Sequence, residues 1–239
     1  MPVSGTPSDN IPLADGRLDA RTAALVRLSA WITGGTEQEV RDGLDACQAA
    51  GVPDRWVEEL VLQSYLFAGF PRALNAAREW RAKGAGTGGG AAGRATDGPG
   101  EDATPVVRDG AGWDGAVAAA AVARWHAAGE ETCARVYGRH YEKLRRNIRA
   151  LHPELDDWMI VEGYGKVLSR MGLDLGRREL CIVAACAAAR QARQLHSHLH
   201  GARNVGVPDA AIAATLVALE GAVPADALAH AQLLWRRVR

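Results

Sequence analysis

Histidines and amides crowd one short run, Gln191-Ala192-Arg193-Gln194-Leu195-His196-Ser197-His198-Leu199-His200. At about 100° per residue, Gln191, Gln194 and His198 fall on one stripe of a helix. That stripe flanks the apolar line of Leu195, Leu199 and Ala202. An imidazole exchanges protons near neutral pH, whereas amides only donate and accept hydrogen bonds. The same placement also suits a core-edge histidine bonded to a neighbour. His196 and His200 lie on a different side, one turn apart. Such an i, i+4 pair can hold a metal. No third ligand stands at helical spacing, so a solvated or interface face is the better reading and no metal is expected.

The four cysteines are Cys47, Cys133, Cys181 and Cys186, and none forms a C-x-x-C pair. Cys181 and Cys186 are five residues apart and point about 140° away from each other on a helix. They sit among Ile182, Val183 and Ala184, as inert core cysteines do. A second candidate surface is the basic stretch from Arg139 to Arg149. Lys143, Arg145, Arg146 and Arg149 read as a solvated helix face, with Leu144 and Ile148 on the apolar side.

Helices must position these groups. Alanine is abundant, aromatics make up 5%, and Gly/Pro punctuation separates the apolar-periodic segments, all of which favour helix over strand. Residues 1–17 read as a disordered tail, 18–83 as a helical unit, 84–115 as a flexible Gly-rich linker, and 116–239 as helical again. Breaks are expected at His152-Pro153, Arg170 to Asp174, Asn204 to Pro208 and Val223-Pro224.

The chain repeats itself. Displaced by 155 residues, Leu18-Asp19 falls on Leu173-Asp174, Leu25 on Leu180 and Leu44 on Leu199. Gly51-Val52-Pro53-Asp54 falls on Gly206-Val207-Pro208-Asp209, and Trp80 on Trp235. Eleven of the 63 positions from 18 to 80 are identical without a gap. Random alanine matches do not reproduce a four-residue turn and a terminal Trp in one register. The glycine of each turn should end a helix in the left-handed conformation, with the proline in the first turn of the next. One such unit cannot cover its own apolar stripe, so the two copies should pack together or onto another chain.

The segment Tyr164-Gly165-Lys166-Val167-Leu168-Ser169-Arg170-Met171-Gly172-Leu173-Asp174, with Arg178-Glu179-Leu180 after it, resembles the carboxymuconolactone decarboxylase family. In the first copy, Leu66-Phe67-Ala68-Gly69-Phe70-Pro71-Arg72-Ala73-Leu74-Asn75 resembles the ending of that family's unit, and the second copy departs there. The resemblance implies an all-α, AhpD-like helical fold, here as two tandem repeats forming a pseudo-dimer. Thiol members of the superfamily use a Glu, two Cys in C-x-x-C and a His four residues later. Carried over, the Glu position is Glu179, the Cys positions are Gln191 and Gln194, and the His position is His198. The same four places in the first copy hold Ala24, Thr36, Glu39 and Gly43. Peroxide reduction by that route needs a thiolate and a resolving thiol. An amide is neither, so C-x-x-C peroxidase activity is not expected.

The resemblance further implies a cofactor-free lyase acting on a small anionic lactone or organic acid. His198 would be the acid/base and Glu179 its partner. Gln191, Gln194, Arg170 and Tyr164 would bind substrate, and Arg193 is a weaker candidate. Two other readings stay open. One is a catalytically silent binding or assembly module. The other is a peroxiredoxin-like oxidoreductase using cysteines outside the motif. Basic and acidic residues balance at 28 each, which argues against a nucleic-acid or membrane-surface partner. The expected setting is the cytoplasm, and the expected state a homo-oligomer.

Overall fold

The computed structural model describes residues 13–14, 17–84 and 115–239. Most of the expected tail and of the expected linker lies outside them, but Leu13, Ala14 and Arg17, expected in the tail, belong to a short strand pair. The chain divides into two compact units, one of residues 1–86 with 172–239, the other of residues 87–171.

In the first unit, a short antiparallel pair, β1 (Leu13–Ala14) and β2 (Arg17–Leu18), precedes α1 (Ala20–Gly34), α2 (Glu37–Ala49) and α3 (Asp54–Ala82). The same unit ends with four more helices, here numbered in chain order after those of the second unit. They are α7 (Leu175–Ala188), α8 (Ala192–Asn204), α9 (Asp209–Ala218) and α10 (Ala225–Val238).

Local chemistry starts and stops matched helices at matched residues. Asp19 caps α1 by accepting from the Arg21 and Thr22 amides at 3.1 Å, and Asp174 caps α7 by accepting from the Arg177 amide at 2.9 Å. Gly51 and Gly206 take φ of +67° and +92°. In both turns the following valine amide closes back 2.9 Å onto the helix, Val52 to Cys47 O and Val207 to Ala202 O. Pro53 and Pro208 stand one residue earlier than expected, at the N-caps of α3 and α9. Several breaks were not expected, among them the matched ones at Gly35-Thr36 between α1 and α2 and at Arg190-Gln191 between α7 and α8. Gly69 (φ +78°) interrupts α3, two residues before Pro71. Its counterpart is Pro224, where the second copy separates α9 from α10.

Helix α1 is buried on several sides, with Leu25, Val26, Leu28 and Ala30 at 0% exposure, as befits a helix at the centre of a bundle. It packs on α7. Ser29 Oγ donates to Cys181 O at 2.7 Å, and Arg177 Nε donates to Thr22 Oγ1 at 3.0 Å. Thr22 and Arg177 are themselves counterparts at the repeat offset. A residue that bonds its own counterpart lies at the axis of a two-fold arrangement.

The second unit contains α4 (Gly115–Tyr137), a 3-10 turn (Gly138–His140), α5 (Tyr141–Leu151), α6 (Pro153–Trp158) and a π-helical segment (Met159–Leu168). Gly129 and Gly165 allow α4 and the π-helical segment to touch. A Cβ on Gly129 would collide with Ile160 O, and one on Gly165 with Trp125 O. The basic stretch corrects one expectation. Lys143, Arg146 and Arg149 are exposed, but Arg145 turns inward. It pairs with the fully buried Asp156, which Arg149 also reaches. Burial opposes charge on Asp156, but the hydrogen bonds from Arg145 and Arg149 outweigh it and hold the carboxyl below the usual range.

Candidate functional site

Glu179 lies in α7, five residues past its Asp174 cap, and is completely buried. His198 lies in α8 and is 5% exposed. The imidazole Nδ1 donates to Glu179 Oε2 at 2.9 Å. The other carboxylate oxygen, Oε1, is buried without a hydrogen-bond partner. A buried carboxylate accepting from Nδ1 fixes the orientation of the ring and its tautomer.

The other expected residues are placed differently. Gln191 is the N-cap of α8, and its side chain makes no capping bond. Gln191 and Gln194 are both exposed, as is Arg193. Tyr164 and Arg170 belong to the second unit, where Tyr164 is buried and meets Tyr137 edge-on at 6.2 Å. The His196 and His200 rings also meet edge-on, at 4.9 Å. Among the described residues no group of three or more His, Cys, Asp or Glu is placed to hold a metal ion.

In the first copy the four corresponding places do structural work. Thr36 accepts from the Glu39 amide at 3.2 Å, and Glu39 Oε2 accepts from the Thr36 amide at 2.7 Å, a reciprocal capping box that closes the start of α2. Where His198 stands in the second copy, Gly43 lies under the Trp31 ring. A Cβ there would come within 2.8 Å of that ring.

Four residues escaped the sequence reading. Arg178, beside Glu179, is fully buried. It donates to Glu59 Oε2 at 2.8 Å, to Gln63 Oε1 at 3.2 Å and to Leu173 O at 3.0 Å. Gln63 in turn donates to Arg178 O at 3.1 Å. Phe67, one turn beyond Gln63 on α3, meets the His198 ring edge-on at 5.8 Å. The signal for them was weak: an acid and an amide at i, i+4 on an otherwise apolar helix face.

The four cysteines are buried. Burial pushes the Cys47 thiol up to about 12. Burial, helped by the Glu179 charge, does the same to Cys186, and burial also raises Cys181. Thiols held this way are poor nucleophiles.

Two clefts open at matched places in the two copies. One, of about 350 Å³, is lined by Ile32, Gly35, Val40, Arg72 and Asn75 among others. The other, of about 140 Å³, is lined by the counterparts Ala187, Arg190, Leu195, Ala227 and His230, with Cys186. Neither is lined by Glu179 or His198. No helix among the described residues is long and apolar enough to cross a membrane.

The sequence profile of the carboxymuconolactone decarboxylase family matches residues 10–82 and again residues 153–235. The chain belongs to that family, in two tandem copies, and has its all-helical, AhpD-like fold. No curated protein matches the chain.

Proposed function

We propose that this protein is a cofactor-free acid/base lyase for a small anionic lactone or related organic acid, with His198 as the proton carrier. The observation that carries the reading is the buried Glu179–His198 pair. A carboxylate taken out of water and spent on an imidazole is costly to keep unless its charge is used. In the reaction, the bond between the substrate carbon and its carboxylate breaks and carbon dioxide leaves. The electron pair passes into the lactone carbonyl. The imidazolium then returns a proton to carbon and regains one from water. Glu179 stabilises the imidazolium throughout.

An anionic ligand also suits the start of α8. Its N-cap carries no side-chain bond, in contrast to the sealed start of α2. Open amides at a helix start favour negative charge. Gln194, one turn from His198 on the same helix, offers a neutral hydrogen bond beside it.

A ligand-dependent thermal-shift screen of small di- and tricarboxylate lactones tests the reading. Stabilisation of the native protein that vanishes in His198→Ala, followed by carbon dioxide release, supports it. No shift with any compound defeats it. A second reading, a silent binding or assembly module, draws on the near-complete burial of His198 and on clefts that open elsewhere. Stabilisation by these compounds that His198→Ala leaves intact would favour it.

A further inference from the structure

The repeat offset allows each half of the site to be compared with its mirror position. The second copy supplies Arg178, Glu179 and His198, whose counterparts 155 residues earlier are Ala23, Ala24 and Gly43. The first copy supplies Glu59, Gln63 and Phe67 from one stripe of α3, whose counterparts are Ala214, Ala218 and Ala222. All six positions carry chemistry or a ring on one side, and all six mirrors are alanine or glycine. Two degenerating copies that drifted independently would lose groups from both arrangements. Here each copy keeps the half that the other needs.

From this we infer that the protein holds one functional site assembled from both copies, with Glu59, Gln63 and Phe67 as its positioning residues. The inference rests on reading His198 as the working group. Gln63 bonds the Arg178 carbonyl, which is the peptide leading into Glu179, so α3 sets the height of that carboxylate. Glu59 neutralises Arg178 next to it, at 2.8 Å. Without that partner the guanidinium would be left as an uncompensated buried charge. Phe67 places its ring against His198 and excludes water from the pair, so it borders any ligand that meets the imidazole. The mirror location is plugged instead. Trp31 lies over Gly43, and Arg27 stacks on Trp31 while donating to the carbonyls of Ala218 and Glu220, both at 2.7 Å.

The test follows the His198 imidazole resonances by nitrogen-edited NMR of the full chain, assigned by their loss in His198→Ala. Gln63→Leu and Phe67→Leu should each shift them and raise the solvent-exchange rate of the Nδ1 proton several-fold. Phe67→Tyr, which keeps the ring, should restore the native exchange rate. Ala222→Phe at the mirror of Phe67 should leave the resonances in place. Thermal unfolding checks that each variant is folded, and either of the first two variants suffices. Unchanged resonances in a folded Gln63→Leu or Phe67→Leu protein overturn the composite site. This readout needs no ligand. Resonances that move while no lactone binds would sink the proposed activity and leave the composite site standing. A lactone that binds through His198 with an affinity indifferent to Phe67 and Gln63 would do the reverse.

Discussion

Helices α2 and α8 begin at matched residues, Glu37 and Ala192, and end at matched residues, Ala49 and Asn204, yet they treat their amino ends differently. The first is sealed by the Thr36–Glu39 capping box, carries Gly43 where an imidazole would stand, and is covered by Trp31. The second leaves its start without a side-chain cap and carries His198 onto Glu179. Backbone geometry is therefore held by a small set of shared residues, Asp at the cap and Gly-Val-Pro-Asp at the turn. Side chains between those anchors are free to differ, closing the start of one helix by packing and setting a buried carboxylate–imidazole pair on the other. The α3 stripe reverses the assignment, since there the first copy bears the polar groups and the second the alanines.

The largest expected effect comes from breaking the bond between the two halves. Arg178→Ala strands Glu59 in the interior and should cost about 3 kcal/mol or more in urea unfolding. Arg178→Met combined with Glu59→Leu should recover most of that loss, because an apolar pair needs no charge partner. A double variant as unstable as the single one would show that the pair is more than a buried charge couple.

Next in size is the plug. Gly43→Ala should destabilise by about 1–3 kcal/mol through its clash with the Trp31 ring. Combining it with Trp31→Ala should remove that penalty, which a double-mutant cycle reads directly. Additive losses would mean that Gly43 is required for a different reason.

Smaller again is the cap. Thr36→Ala should cost about 1 kcal/mol, whereas Gln191→Ala should cost nearly nothing, since the Gln191 side chain caps nothing. Equal losses at both places would erase the contrast between the two helix starts.

The smallest expected effect at neutral pH concerns the thiols. Because burial raises Cys47 and Cys186 from about 9 to about 12, both stay protonated through the ordinary assay range. A thiol reagent at pH 8 should leave the native protein unlabelled until it unfolds. The sign for stability follows. The contribution is full below the unfolded thiol value near 9 and is lost as pH climbs toward about 12. Rapid labelling of native Cys186 would instead revive a redox reading.

How much of this was legible depended on distance along the chain. Turns are local, so the repeat, its offset and the helix ends at the two Gly-Val-Pro-Asp turns could be read from the sequence, whereas the breaks at Gly35-Thr36 and Arg190-Gln191 could not. The break at Gly69 was obscured because helical periodicity runs up to it and resumes after Pro71. Glu179 and His198 are 19 residues apart on different helices, and the family resemblance, not periodicity, placed them together. Arg178 was quoted only as part of the run that carries the resemblance, with no role given to it. Its partners Glu59 and Gln63 lie 119 and 115 residues away, and no local pattern records a contact of that kind. Gln194 lies one turn before His198 on α8, but Gln191 is the N-cap and falls outside the helical spiral that the spacing assumed, and both amides are exposed.

The central claim is that Glu179 and His198 form a working acid/base pair walled by the first copy. Calorimetric titration of a small dicarboxylate lactone into the native protein, His198→Ala and Phe67→Ala tests it most directly. The account predicts binding to the native chain that is lost in His198→Ala and weakened at least several-fold in Phe67→Ala, although Phe67 lies in the other copy. Affinity unchanged in both variants, or no binding to the native protein, would contradict it.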